Sequence, residues 1–176
     1  MRNVTLFIAM SLDGYIAKKD GSVDWLQGQK PNQDDMVSYE LFIRDIDTVI
    51  MGWNTYHQIA SELSPETWYY ENLDSYVFTH RSLTGKENIH FINGDICQSI
   101  RHMRQQEGKG IWICGGAGII HPLIEHNLID TYYISVIPTI LGSGISLFQG
   151  RSAPLNLQLV SSKSYNGITD LIYQRR

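Results

Sequence analysis

Short apolar runs and helical repeats alternate along this chain. Val4-Thr5-Leu6-Phe7-Ile8-Ala9-Met10 and Thr48-Val49-Ile50-Met51 are nearly unbroken apolar runs, and so are Tyr76-Val77-Phe78-Thr79 and Ile111-Trp112-Ile113-Cys114. Runs of this length, rich in β-branched and aromatic residues, predict strands buried on both faces. The run at 3–10 reads as a central strand, and 89–92 and 131–137 predict two more strands. Between them the period changes. Met36, Tyr39, Leu41, Phe42 and Ile43 predict a helix over about 34–44, and Asn54-Thr55 caps another running to about Ser61. Ile96, Ile100 and Met103 share one helical face, and residues 117–126 have helical spacing. Asp13-Gly14 marks a turn before a short extended piece at 15–17, and residues 18–34 and 62–74 read as loops. The end differs in kind. Leu155, Leu157 and Leu159 alternate with polar residues, Asn166-Gly167 is a hairpin signal, and 168–174 is the returning strand. The predicted class is α/β, with a mainly parallel central sheet finished by an antiparallel C-terminal hairpin.

Composition narrows the reading. The chain has 176 residues, 43% hydrophobic and 18% charged, which suits one domain, residues 1–176, with a full core. A net charge of −4 argues against a general nucleic-acid binder while leaving room for a local basic pocket. The two cysteines, Cys97 and Cys114, match neither a zinc spacing nor a disulfide framework, which predicts a reducing, cytoplasmic setting. The apolar run after Arg2 is short and stops at Ser11 and Asp13 without a small-residue cleavage site, so it reads as a strand. No stretch has the length of a membrane span, and the six histidines form no metal-spaced cluster, so no metal site is expected.

The candidate chemistry lies where strands turn into helices. Gly110-Ile111-Trp112-Ile113 leads into Cys114-Gly115-Gly116-Ala117-Gly118 and then directly into the helical residues Ile119 to Ile124. Such a turn points unpaired backbone N–H groups and the positive end of the helix dipole at whatever lies above the sheet. Phosphates bind there. Met51-Gly52-Trp53-Asn54-Thr55 repeats the arrangement, and two such turns at one edge of a parallel sheet suit a single pyrophosphate. Each glycine taken alone serves a plain tight turn equally well. There is no GxxxxGK[ST] and no GxGxxG after the first strand, which sets aside the common nucleotide folds. Thr79-His80-Arg81-Ser82 follows the third strand and would suit a further phosphate, such as the 2′-phosphate of NADP, or would simply form a solvated basic loop.

Several phrases together resemble a known family. Ile8-Ala9-Met10-Ser11-Leu12-Asp13-Gly14-Tyr15-Ile16-Ala17 resembles the opening of the dihydrofolate reductase superfamily, and Val49 to Tyr56 its MGRxTY segment. Ile113 to Gly118, Leu128-Ile129-Asp130 and Pro138 to Phe148 resemble its GGxG…LID…PxxLGxGxxLF pattern. The nearest branch is similar to the reductase domain of bifunctional riboflavin-biosynthesis proteins and to small stand-alone bacterial proteins like it. The resemblance implies a three-layer α/β/α fold and an NAD(P)H-dependent reduction, with NADPH the expected cofactor and NADH open. By position, Ala9 and Met10 would line the nicotinamide. Gly52, Trp53, Asn54 and Thr55 would face the pyrophosphate from one side, and Gly115, Gly116, Ala117 and Gly118 from the other. Thr79, His80 and Arg81 would lie near the adenosine ribose and its 2′-phosphate. The family's habit also implies a cis bond at Gly115–Gly116. Trp53 departs from the pattern, since the usual residue there is basic and tryptophan offers a single N–H.

In classical dihydrofolate reductases a carboxylate on the first helix serves the pterin. The comparable positions here are Asp34 and Asp35, which would serve equally as helix caps. Asp13 and Asp35 are the candidate catalytic carboxylates, Asp13 having the alternative of bonding its own turn. Trp25, Trp68, Tyr69 and Tyr70 would stack on a flat heterocycle or close over the core, and His57 reads as a surface residue. The loop at 18–33 is longer than a folate enzyme would need, so the expected substrate is a small planar pterin- or pyrimidine-like molecule other than dihydrofolate. Two alternatives stand beside this: a cofactor-binding sensor without turnover, and a 5-amino-6-(5-phosphoribosylamino)uracil reductase. No HxE…PCxxC deaminase motif is present. By resemblance the chain would pair as a homodimer through residues 138–144, without nucleic-acid or membrane partners.

Overall fold

The computed structural model describes every residue except 31, 34, 35 and 150–152. Its centre is an eight-stranded sheet in the order β5-β4-β3-β6-β1-β7-β10-β9. These strands are β1 (Val4–Ser11), β3 (Ile46–Gly52), β4 (Asp74–Phe78), β5 (Ile89–Ile92), β6 (Gly110–Gly115), β7 (Thr131–Ile137), β9 (Leu157–Tyr165) and β10 (Ile168–Arg175). Pairing is parallel from β5 across to β7. Only β10, between β7 and β9, runs antiparallel to its neighbours. Parallel strands need covering on both faces, which is why their sequences are apolar runs rather than alternations. One face carries Leu6, Ile50, Ile113 and Tyr132 against α3 (Ile96–Met103) and α4 (Ala117–Glu125). The other carries Val49, Met51, Val77 and Trp112 against Tyr39 and Phe42 of α1 (Val37–Ile43) and Ile59. Leu6, Ile50 and Ile113 are fully buried, and each such side chain contributes about 1.5–3 kcal/mol relative to exposure.

Several expected boundaries move. The first helix begins at Val37 rather than 34, and Asp34 and Asp35 lie outside the described residues. The second, α2 (Trp53–Gln58), continues as a π-helical turn over Ile59–Leu63, beyond the expected end at Ser61. The strand expected at 155–159 runs over Leu157–Tyr165 instead. Leu155 and Leu157 pack on the core, but the pairing slips between Ile172 and Tyr173, and Leu159 and Val160 are both exposed. A bulge of this kind adds a residue to one strand and breaks the alternation. At the hairpin tip Asn166 (φ +47°) and Gly167 (φ +78°) are both left-handed, the geometry that Asn-Gly turns favour.

Residues 138–148 hold a two-residue strand, β8 (Ile145–Ser146), which pairs with β2 (Tyr15–Ala17). Leu147 is fully buried, its N–H donates to Gly14 O at 2.9 Å, and His121 Nε2 lies 3.1 Å from both Ser146 O and Leu147 O. At the opposite end of the sheet, Asp130 is a tie point. It accepts from Arg104 Nη2 on both oxygens at 2.9 Å, from Arg175 Nη2 at 2.9 Å and from Val4 N at 3.0 Å. The acidic position of Leu128-Ile129-Asp130 therefore joins α3, β10 and the start of β1.

Candidate active site

A cleft of about 1870 Å³ opens where β1, β3, β4, β6 and β7 end. The two glycine turns meet in its floor. A Cβ added at Gly52 would stand 3.3 Å from Ile119 Cγ1, and one at Gly115 or Gly116 would stand 3.4 Å from Thr55 Oγ1. The two turns therefore lie within van der Waals reach of each other. Gly115 has φ +149°, a backbone that glycine tolerates best, and the Gly115–Gly116 peptide is cis. Gly118 faces open space on the first turn of α4.

Beyond the turns, Thr79, His80 and Arg81 form the cleft's basic end. The Arg81 guanidinium lies over the Trp53 ring, 4.7 Å from its centroid, and Arg81 N donates to Thr79 Oγ1 at 3.1 Å. Trp53 itself leans on Tyr56 and Phe91, with ring centroids 5.5 and 6.4 Å away. Trp53 thus serves as a platform for a cation supplied by the segment after β4. His80 Nδ1 is 3.4 Å from Asn93 Oδ1.

The other half of the cleft is aromatic and hydroxylic. Tyr39, Tyr69, Tyr70, Trp112 and Cys114 form one wall, with Tyr70 OH 3.7 Å from Cys114 Sγ. Burial pushes the Tyr39 and Tyr70 phenols up and the Cys114 thiol up to about 12, so none ionises near neutrality. Cys114 is therefore poorly suited to act as a thiolate nucleophile. Ser135 and Tyr165 line the floor. Behind them is Asp170, only 1% exposed, which accepts from Ser135 Oγ at 2.6 Å, Tyr133 OH at 3.0 Å and Tyr165 OH at 3.2 Å. Burial raises both phenols, Tyr133 to about 12, and keeps them protonated as donors.

The chain matches the RibD C-terminal domain family over residues 2–169. It belongs to that family. It is 37% identical over 175 residues to the uncharacterized protein YwjB of Bacillus subtilis, covering 99% of this chain and 98% of that protein. A putative riboflavin biosynthesis protein from Shewanella sp. PV-4 superposes with a TM-score of 0.81 at 26% identity, over 100% of this chain and 99% of that one. Dihydrofolate reductase from Enterococcus faecalis, solved with NADP(H) and RAB-propyl, superposes with a TM-score of 0.68 at 15% identity, over 99% and 96% of the two chains. The last likeness shows the fold alone, a dihydrofolate reductase-like fold.

Within this RibD C-terminal domain, the residues named from sequence separate clearly. Ala9, Gly52, Trp53, Asn54, Thr55, Thr79, His80, Arg81 and Gly115 to Gly118 all line the cleft. Met10 does not. Strand alternation sends its side chain to the far face, into the core with Ile8 and Leu6. Asp13 also stands outside the cleft lining. It accepts from Ser11 Oγ at 2.6 Å, Gly142 N at 2.7 Å and Leu141 N at 3.1 Å. The Ser11 hydroxyl, followed by those backbone donors, holds its carboxyl below the usual range. It therefore fastens the 138–148 segment. Asp35 lies outside the described residues. His57 is exposed and stands on the cleft rim. Trp25 closes over Ile137 and Ile168, and Trp68 donates to Ser75 Oγ at 2.9 Å, whereas Tyr69 and Tyr70 face the cleft. The residue that sequence reasoning missed is Asp170. Its signal was present, a carboxylate at the inward position between Ile168 and Ile172 on a strand of period two. Among the described residues, no cluster of His, Cys, Asp or Glu could hold a metal.

Proposed function

We propose that this protein is an NADPH-dependent reductase of a small planar heterocycle, pterin- or pyrimidine-like. The observation that carries the reading is Arg81 stacked on Trp53 beside the two joined glycine turns. The residues fit such a cofactor. The two glycine turns lie against each other and Gly118 opens onto unfilled space, so a pyrophosphate can approach the backbone at the start of α4. Arg81 supplies a planar cation suited to a 2′-phosphate, and Trp53 holds it in place. When bound, the nicotinamide supplies the hydride. The chain's own residues orient the reactants and exclude water: Ala9 at the end of β1, and the wall of Tyr39, Tyr70 and Trp112. The reading of the sequence as a 5-amino-6-(5-phosphoribosylamino)uracil reductase puts that compound among the substrates to assay, and the likeness to a putative riboflavin biosynthesis protein supports it. A cofactor-binding sensor is the second reading, favoured by the commitment of Asp13 to a structural turn.

Titration of ligand-free protein, read through tryptophan fluorescence, tests this. NADPH is expected to quench saturably and NADH to bind about tenfold more weakly, the difference made by a charge-assisted contact. Failure of both to bind overturns the reading. Cofactor oxidation with a heterocycle panel favours the enzyme, and binding without oxidation favours the sensor. We further infer a cytoplasmic homodimer. The two cysteines are free, and residues 138–148 carry Ile140 at 70% exposure as an apolar contact for a second copy. Light scattering that shows a monomer overturns the dimer.

A further inference from the structure

The charges of the cleft are placed unevenly. Among the described residues its lining holds one arginine and no lysine. That arginine, Arg81, stands at the basic end, stacked on Trp53. The aromatic half, walled by Tyr39, Tyr70 and Trp112, has no lysine or arginine of its own among the described residues.

The rim carries the opposite sign. Its two banks, the loop over 18–30 and the end of α2, meet where Gln58 Nε2 donates to Gly21 O at 3.2 Å. Asp20 stands beside that contact on one bank, and Glu62 follows Gln58 on the other, in the π-helical turn. Both acids line the cleft and both are exposed. Neither is in an ion pair among the described residues. Lys18 is paired with Asp24 at 2.8 Å, and Lys19 and Lys30 stand outside the cleft lining. His57 shares the rim, but an imidazole is a titrating group rather than a fixed cation.

The consequence falls on whatever a bound ring carries out of the cleft. Proteins hold a phosphate or carboxylate with arginine, lysine or a row of backbone N–H groups. In the reductase reading, Arg81 and the starts of α2 and α4 are committed to the cofactor. A further anionic group at the rim would lie near Asp20 and Glu62 with no fixed cation to meet it, and like charges repel. Around the acids the rim is apolar, with Leu26, Met36, Leu63 and Tyr69 all exposed. An extension without negative charge can rest on these side chains.

We propose that the cleft takes a planar molecule whose extension carries no negative charge, and that Asp20 and Glu62 turn away one that ends in a phosphate or carboxylate. This rests on the reductase reading and narrows its substrate class by charge. It ranks 5-amino-6-(5-phosphoribosylamino)uracil below its dephosphorylated counterpart.

The test uses the full chain and these two compounds, which share ring and sugar and differ in the phosphate, with calorimetric binding measured with and without NADPH. The dephosphorylated compound is expected to bind about fivefold more tightly, the worth of a like-charge contact near the surface. Added salt should narrow the ratio, because exposed charges are screened. Glu62→Lys should bring the two compounds level or reverse their order, and Asp20→Asn should narrow the ratio by less. Circular dichroism checks that both variants fold. A ratio that survives both salt and Glu62→Lys reflects the size of the phosphate and overturns the inference. A wild type that binds the phosphorylated compound as tightly as the other, or binds neither, overturns it as well. NADPH titration of the same preparations reads the parent claim separately. NADPH binding without a charge preference would leave the reductase reading standing while this inference fell. A preference without any NADPH binding would do the reverse.

Discussion

Asp130 and Asp170 are both withdrawn from bulk water, and they sit toward opposite ends of the sheet with opposite partners. Asp130, with its side chain 20% exposed, is met by two arginines and a backbone N–H. Asp170, 1% exposed, is met by hydroxyls, two of which also face a cleft. The first carboxylate is satisfied entirely within the fold, joining three elements. The second is satisfied by groups that keep spare capacity on their other side. Burial alone does not separate a structural acid from a functional one; what the partners can still offer does.

The largest expected effect breaks the structural member of the pair. Asp130→Ala leaves Arg104 and Arg175 facing each other without a counter-charge and is expected to cost about 3 kcal/mol of stability. Urea unfolding measures it, and NADPH affinity of the folded fraction should be unchanged. Asp170→Asn should cost about 1 kcal/mol, because Ser135 and Tyr165, two of its three hydroxyl partners, line the cleft and can turn toward solvent there. Equal losses at the two sites would remove the distinction.

The next effect sharpens the functional end. Arg81→Ala is expected to weaken NADPH binding about tenfold while leaving NADH untouched, since only the former carries the extra phosphate. Trp53→Ala removes the platform but not the charge, and a loss of about threefold follows from the worth of an exposed cation–π contact. Parallel titrations of both cofactors decide. If Arg81→Ala weakens the two equally, the guanidinium does not read the phosphate.

The two glycine turns of the cleft were legible because their signals are local. A strand, a glycine and a helix start are contiguous in Met51 to Thr55 and in Cys114 to Gly118, and the backbone follows directly from the residue types. The parallel sheet was legible for the same reason, as each buried strand is an apolar run. The Ser135–Asp170 side of the cleft was not, because it is assembled across strand pairs. Ser135 meets Asp170 only once β10 has folded back along β7, a pairing set by the hairpin at Asn166-Gly167 and by register. The stacking of Arg81 on Trp53 likewise joins the end of β4 to the start of α2. The place of Asp13 was hidden for the opposite reason. It stands in a recurring phrase beside the cleft-lining Ala9, yet its partners Leu141 and Gly142 lie far along the chain.

Asp13 gives the smallest expected effect, and one with a definite sign. Its carboxyl is held below the ordinary value of 3.8, chiefly by the Ser11 hydroxyl. A group with a depressed folded-state value stabilises fully above its unfolded value, and that contribution is lost as pH falls through the depressed one. Asp13→Asn should therefore be slightly less stable than the wild type near neutrality. The gap should close in acid, where the wild-type carboxyl takes up its proton and becomes the weaker acceptor for Leu141 and Gly142. Chemical unfolding of both proteins at neutral and acidic pH measures the gap. A gap that stays constant with pH would mean that the carboxylate's charge does not contribute, and that a neutral acceptor suffices to fasten the 138–148 segment.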